Sequence, residues 1–283
     1  MSKGDQTRQV PVTVVHNGNE RTINENIAIE EPLEIRLGFG SLEDRKEFPL
    51  AMTMRTPGFD RELAAGLIFS KGLVKHPDEI AWITHCSTAY SPDGSQNVIR
   101  VELDEEVELD PDQLQPQFYS SSSCEIFAKA STKALTQASH FELNGSLGLS
   151  ASALKKLAEL LIKHQSFTES TSGMHAAASF DDQGNISRVY EDLSRHHALD
   201  KLIGHYALNN QLPITEHGIF ISGRANFDLL QKCKMAGCSL LVAIGPPSTL
   251  AVNTAKQLNI TLVGFLNNNS YNIYHGTSVI IDP

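Results

Sequence analysis

Hydrophobic and polar positions alternate with a period of two through the first third of the chain. Val10-Pro11-Val12-Thr13-Val14-Val15 and Glu20-Arg21-Thr22-Ile23 flank Asn17-Gly18, a dipeptide that tolerates positive φ and therefore predicts a hairpin turn. Leu33, Ile35 and Leu37 alternate with Glu34 and Arg36, and Phe48 to Met54 forms another such run, ended by Arg55-Thr56-Pro57-Gly58. Both read as strands. Asp60 is placed to cap a following helix with Leu63, Leu67 and Ile68 on its apolar face. Ile80 to Ile83 and Val98 to Leu103 predict a further strand pair.

The period then changes. Helices are expected from about Ile126 to Ser139 and from Ser152 to Lys163, where Leu154, Leu157, Leu160 and Leu161 recur at helical spacing. Ala176 to Phe180 and Ile186 to Tyr190 predict a strand pair around Asp181-Asp182-Gln183-Gly184, followed by a helix carrying Ala198, Leu199, Leu202, Ile203 and Tyr206. Gly218 to Ile221, Ser239 to Ile244 and Ile260 to Leu266 are short apolar runs, the look of strands buried on both faces. Helices alternate with them. This β-α-β-α-β order implies parallel strands with covering helices. Ser222-Gly223-Arg224, Gly245 to Ser248 and Phe265 to Ser270 each leave the carboxyl end of a strand, so they gather on the sheet edge where α/β proteins bind ligands. Two of them are expected to feed helix N-termini, whose free N–H groups suit phosphate. A phosphate-bearing or nucleotide-like ligand is expected there.

Composition narrows the function. The chain has 283 residues, 41% hydrophobic and 20% charged, with a net charge of −10. That is an ordinary globular protein, and not a general nucleic-acid binder, which needs clustered Lys and Arg. No apolar run approaches membrane-spanning length and the first ten residues lack a signal-peptide core. Four widely spaced cysteines, Cys86, Cys124, Cys233 and Cys238, fit neither a disulfide framework nor a paired-thiolate zinc site, which points to a reducing, cytoplasmic setting. An acidic stretch from Asp104 to Asp112, then Gln113-Leu114-Gln115-Pro116, marks a domain boundary: residues 1–116 form a strand-rich α+β unit and residues 117–283 an α/β unit.

Chemistry concentrates at few places. Cys233 and Cys238 fall on apolar positions and read as packing, whereas Cys124 follows four serines, Ser120 to Ser123, poor helix and strand formers that read as a mobile loop. In isolation that loop reads first as a surface linker with an incidental cysteine. Arg195, His196 and His197 open a helix against the usual dipole preference for acidic residues, which favours an anion site; His196 with Asp200, and His197 with Lys201, stand four apart and within reach. Arg55 at a strand-to-helix turn is either an anion-binding cation or a salt bridge. His175-Ala176-Ala177 resembles the His-x-Glu of zinc-dependent nucleobase deaminases, but Ala177 replaces the acid and no Pro-Cys-x-x-Cys follows. No zinc and no deamination are therefore expected.

In this order the segments resemble one family, the FdhD formate dehydrogenase accessory proteins. The resemblance rests on Glu30-Glu31-Pro32-Leu33-Glu34-Ile35, Met54-Arg55-Thr56-Pro57-Gly58 with Glu62-Leu63-Ala64-Ala65-Gly66, the Ser-Ser-Cys loop, Gly173 to Ala177, and Glu191-Asp192 through Lys201. It continues through Ser222-Gly223-Arg224, Pro247-Ser248 with Leu250-Ala251-Val252, and Gly264-Phe265 leading to Asn272-Ile273-Tyr274. It implies a cytidine-deaminase-like three-layer α/β/α domain without zinc, beside the smaller N-terminal domain, and a homodimer. It implies a sulfurtransferase that takes persulfide sulfur from a cysteine desulfurase onto Cys124 and passes it to molybdenum bis(pyranopterin guanine dinucleotide) destined for formate dehydrogenase. Cys124 matches the first cysteine of the family's Cys-x-x-Cys, while Phe127 stands in place of the second and Glu125 and Ala128 in place of the neighbouring glycines. One thiolate suffices for a persulfide relay, because it attacks one sulfane sulfur and surrenders it to one acceptor.

The residues expected to hold the cofactor are Phe265, Leu266, Asn267, Asn268, Asn269 and Ser270, with Arg55, Arg195, Arg224, Ser222, Gly223 and Ser248 at its phosphates and guanine. His175, His196, Asp200 and Lys201 are expected to orient or protonate groups near the metal. The competing reading is a chaperone that delivers the same cofactor without covalent sulfur chemistry.

Overall fold

The computed structural model describes residues 6–86, 97–107, 109, 141–143, 147–168, 173–276 and 279–280. The predicted Ile126–Ser139 helix, the serine run with Cys124, and Phe127 lie outside these residues.

Strands β1 (Thr7–His16) and β2 (Asn19–Ala28) form a hairpin whose turn residues Asn17 and Gly18 take φ of 51° and 79°, as the Asn-Gly signal requires. Strands β3 (Glu31–Phe39), β4 (Lys46–Arg55), β5 (Ile80–His85) and β6 (Val98–Leu103) make a four-stranded sheet in the order β4-β3-β6-β5. Its inner face presents Leu33, Ile35, Leu37, Ile99 and Val101 to helix α1 (Asp60–Ser70). The helix is entered differently from expectation. Asp60 is its first turn rather than its cap; Phe59 holds the cap position at φ 57° with no side-chain cap bond, and the Asp60 carboxylate instead receives both ends of the Arg55 guanidinium at 3.0 Å.

A second, six-stranded sheet follows the order β13-β12-β11-β10-β8-β9, built from β8 (His175–Phe180), β9 (Ile186–Asp192), β10 (Gly218–Ile221), β11 (Leu240–Ala243), β12 (Thr261–Gly264) and β13 (Asn272–His275). Strands β10, β11 and β12 run parallel, as the β-α-β-α-β order predicts, and the flanking strands are antiparallel. Helix α2 (Ala151–Thr168) packs Leu154 and Leu157 against Phe180, Phe220 and Val242 on one face. Helices α3 (Arg195–Leu208), α4 (Phe227–Met235) and α5 (Thr249–Leu258) cover the other. The short strands β7 (Leu149–Ser150) and β14 (Val279–Ile280) pair in parallel. The architecture is mixed α/β, with helices on both faces of the larger sheet.

One hydrophobic cluster runs from β3 and β6 through α1 and α3 to β10 and β12. It depends on two glycines. A methyl group on Gly66 of α1 would overlap the carbonyl oxygen of Asp200 in α3, and one on Gly204 of α3 would overlap the carbonyl oxygen of Glu62 in α1. The helices therefore touch backbone to backbone. Replacing either glycine by alanine is expected to lower the unfolding free energy by about 3 kcal/mol, more than the roughly 1 kcal/mol alanine gains in helix propensity; chemical denaturation measures the difference.

Candidate functional site

The strand directions bring five chain segments to one edge of the six-stranded sheet. The parallel strands β10 to β12 end there, and antiparallel β8 begins there, so His175 lies beside Ser222 and Gly223. Strand β9 ends there too, with Asp192 opposite His175, and passes through Ser194 into α3. Backbone bonds stitch the loops together: Ser222 N–H to Ala176, Gly245 N–H to Gly223 at 3.1 Å, Ser248 N–H to Ala225 and Phe265 N–H to Gly245. Two glycines set the spacing. A Cβ at Gly223 would lie 3.2 Å from Arg195 Cδ and 3.5 Å from the His175 ring, and one at Gly245 would lie 2.8 Å from Arg224 Cγ.

This edge is electropositive. Arg195 is half-buried, and its Nε, fully enclosed, donates to nothing among the described residues. Burial and the neighbouring Arg224 disfavour its charge, and Asp228 alone offsets them. Arg224 is exposed and makes no ion pair among the described residues. A bound anion would relieve both arginines and take up the orphaned donor. Ser248 caps α5 by accepting from Ala251 N–H at 3.1 Å, which leaves its hydroxyl proton for a ligand. Ser222 Oγ accepts from Ala176 N–H at 2.8 Å and lies within hydrogen-bond distance of His175 Nδ1, at 3.4 Å. Burial and Arg195 lower the His175 pKa and keep the ring neutral.

The last loop is ordered by one side chain. Asn267 Oδ1 accepts from the N–H groups of Asn269 and Ser270 at 2.9 and 3.0 Å, and its Nδ2 donates to Phe265 O and Ser270 Oγ at 3.0 Å. Leu266 is buried in the core beneath. Phe265 leaves the strand at φ 54° and is 44% exposed, a left-handed conformation that strains a bulky residue. Of the expected segment, then, Phe265, Asn268, Asn269 and Ser270 face outward, while Leu266 and Asn267 build the loop.

Several expected site residues are placed elsewhere. Arg55 is 2% exposed and held by Asp60 and Glu31, so it is neither a surface salt bridge nor a free cation. Lys201 spends its three ammonium protons on Thr56 O, Glu191 O and Asp192 Oδ2, the last at 2.7 Å, and none remains for a ligand. Asp200 is buried and receives Lys232 Nζ and Ser70 Oγ. The expected pairs four residues apart do not form either. His196 Nε2 meets Asn226 Nδ2 at 3.3 Å, and His197 Nε2 meets Thr53 Oγ1 at 2.9 Å. Ser222 to Arg224 does not feed a helix directly, because Asn226 is the cap of α4. Asn226, Asp228 and Asp192 are parts that reading the sequence did not assign; only the Asn before a helical run could have signalled one of them. Burial depresses nothing for Asp192: it pushes the carboxyl up, but His197, Lys201 and Ser194 N–H outweigh it and hold the pKa below the usual range.

Cys233 and Cys238 are fully buried, and burial raises both thiols, Cys238 to about 12. No three His, Cys, Asp or Glu side chains among the described residues converge as metal ligands do. A cleft of about 390 Å³, lined by Arg188, His205, Tyr206 and His217 among others, lies at the opposite end of the sheet, away from Arg195 and Arg224.

The fold and this edge define a mixed α/β protein with two arginines on a glycine-walled sheet terminus. The chain belongs to the FdhD/NarQ family, whose model it matches over residues 28–281. It is 38% identical over 277 residues to the sulfur carrier protein FdhD of Streptomyces avermitilis, covering 96% of this chain and 95% of that one. It is 37% identical over 255 residues to the same-named protein of Mycobacterium tuberculosis, covering 88% and 90%. Its fold matches a crystal structure of a formate dehydrogenase accessory protein from Desulfotalea psychrophila with a TM-score of 0.72 at 22% identity, over 97% of this chain and all of that one.

Burial pushes His196 down to about 3, helped by Lys232, Arg195, His197 and His175. An unfolded histidine protonates near 6.5, so between these values the unfolded chain binds more protons and stability falls as pH drops from about 6.5 towards 3. His196→Gln, which keeps a hydrogen-bonding partner for Asn226, is expected to flatten that fall; denaturation curves at pH 7 and pH 5 measure it.

Proposed function

We propose that this protein is a sulfur carrier that accepts persulfide sulfur from a cysteine desulfurase on Cys124 and passes it to molybdenum bis(pyranopterin guanine dinucleotide) bound as substrate, for use by formate dehydrogenase. The observation that carries this reading is the Arg195–Arg224 pair with its orphaned Nε, in a chain of the FdhD/NarQ family. Arg195 and Arg224 hold the dinucleotide phosphates. Ser248 donates to a phosphate oxygen, and the exposed Phe265 ring stacks on the guanine. His175, kept neutral by burial and Arg195, faces the reacting end. Cys124 thiolate attacks the donor's outer sulfur, the donor cysteine leaves as thiolate, and the acceptor's electron pair later releases Cys124 in the same way. The larger sheet with its helices is read as the cytidine-deaminase-like layer, without zinc. The setting is read as cytoplasmic and the protein as a homodimer; no helix among the described residues is long and apolar enough to cross a membrane.

Phe127, in place of a second loop cysteine, favours the chaperone as the alternative reading. Mass spectrometry after incubation with a desulfurase and cysteine separates the two. The relay predicts an adduct of about 32 Da, one sulfur, on Cys124, absent in Cys124→Ala; cofactor binding with no adduct leaves only the chaperone.

Arg195→Ala and Arg224→Ala are expected to weaken guanosine diphosphate binding about 10- to 100-fold each, the loss of one charge-assisted contact. Titration calorimetry measures it, and unchanged affinity removes the phosphate assignment.

A further inference from the structure

The cleft at the far end of the six-stranded sheet has no part in the proposed sulfur chemistry. Its walls come from the start of β9, the end of α3 and the loop from Gln211 to His217 that enters β10. Its volume of about 390 Å³ lies at the small end of the range for ligand sites. Two opposite charges line it without meeting. Arg188 contributes a guanidinium and Glu216 a carboxylate, both residues exposed, and neither side chain makes an ion pair among the described residues. Opposite charges that reach each other in a small cleft attract and pair. Here they stay apart, which leaves room for a ligand that carries both signs.

Arg188 is not a loose surface cation. Its Nε donates to His205 Nε2 at 3.1 Å and its Nη1 to Ser187 O at 3.0 Å. A guanidinium has further N–H groups to give, so its terminal nitrogens keep unspent protons on a side chain already held in place. His205 is held in turn. Its other ring nitrogen lies 3.0 Å from Tyr190 Oη, and its ring meets Tyr206 edge-on at 5.7 Å. The arginine N–H can only donate, so Nε2 accepts and the ring is uncharged, as burial and Arg188 also favour. Glu62 of α1 acts on His205 as well, but it makes no ion pair with Arg188 among the described residues. A guanidinium fixed in this way suits a carboxylate, and Glu216 suits a cation. The remaining lining includes Tyr206 and His217, their rings 5.9 Å apart, with Pro213 and Ile214. A free α-amino acid has this pattern of carboxylate, ammonium and side chain.

We propose that this cleft binds a free α-amino acid as its zwitterion, the carboxylate on Arg188 and the ammonium on Glu216. The site is separate from Cys124 and from the edge that carries Arg195 and Arg224, so it stands whether or not the sulfur-carrier reading does. The test is titration calorimetry of the full chain at pH 7 with L-alanine, L-serine, L-methionine and L-phenylalanine. At least one is expected to bind at millimolar concentration or below. Arg188→Gln and Glu216→Gln, with circular dichroism as the check on folding, are each expected to weaken that binding about tenfold or more. Two analogues of the bound amino acid separate direct contact from a structural effect. Its α-hydroxy acid, which lacks the ammonium, is expected to bind the wild type about tenfold more weakly but Glu216→Gln as well as the amino acid does. Its amide, which lacks the carboxylate, is expected to behave in the same way towards Arg188→Gln. No binding of any of the four overturns the proposal. So does a hydroxy acid that binds the wild type as tightly as the amino acid, or an affinity that both substitutions leave unchanged.

Discussion

Two helices that meet through glycine hold this molecule together. Because Gly66 and Gly204 let α1 and α3 approach until backbone touches backbone, the small sheet and the large sheet share one core. The close approach also brings the β4–α1 turn against the β9–α3 turn. There Lys201 and Asp192 form a fully buried ion pair, with Thr56 O accepting from Lys201 and Thr56 N–H donating to Asp192 at 3.2 Å. A buried pair is stable only when its remaining hydrogen-bonding capacity is met. Here the two turns supply those bonds, so one cannot shift without exposing the other's charge.

That lock positions the edge that carries Arg195 and Arg224. Asp192 ends β9 opposite His175, and Ser194 starts α3 two residues later, receiving His196 N–H while its own N–H is held by Asp192. Arg195 is thereby delivered against Gly223, and Arg224 against Gly245. Two guanidinium groups with little acidic company are costly side by side. The fold maintains the arrangement through rigid neighbours, with Asp228 as a counter-charge to Arg195.

Much of this was legible in the sequence. The period-two runs, the Asn-Gly turn and the three parallel strands follow from local pattern, and loops leaving parallel strands must collect at one edge. Side-chain partners were not legible in the same way. Arg55 and Lys201 look like free cations because their partners Asp60, Glu31, Asp192 and Thr56 come from distant turns or depend on burial. His196 and His197 satisfy helical spacing with Asp200 and Lys201, yet α4 and β4 offer better-placed partners in Asn226 and Thr53. Tertiary packing decided each of these. The left-handed turn at Phe265 has no sequence signal at all, since an aromatic residue is a poor choice for that conformation.

The two sealed cysteines have a chemical consequence of their own. Relatives of this chain are named sulfur carrier proteins, and in thiol chemistry every accessible thiolate is a competing acceptor. Cys233 and Cys238 are kept protonated and out of reach by burial, and exchange requires an exposed thiolate. The core thus acts as insulation: two of the chain's four cysteines are withdrawn from thiol exchange by the fold itself.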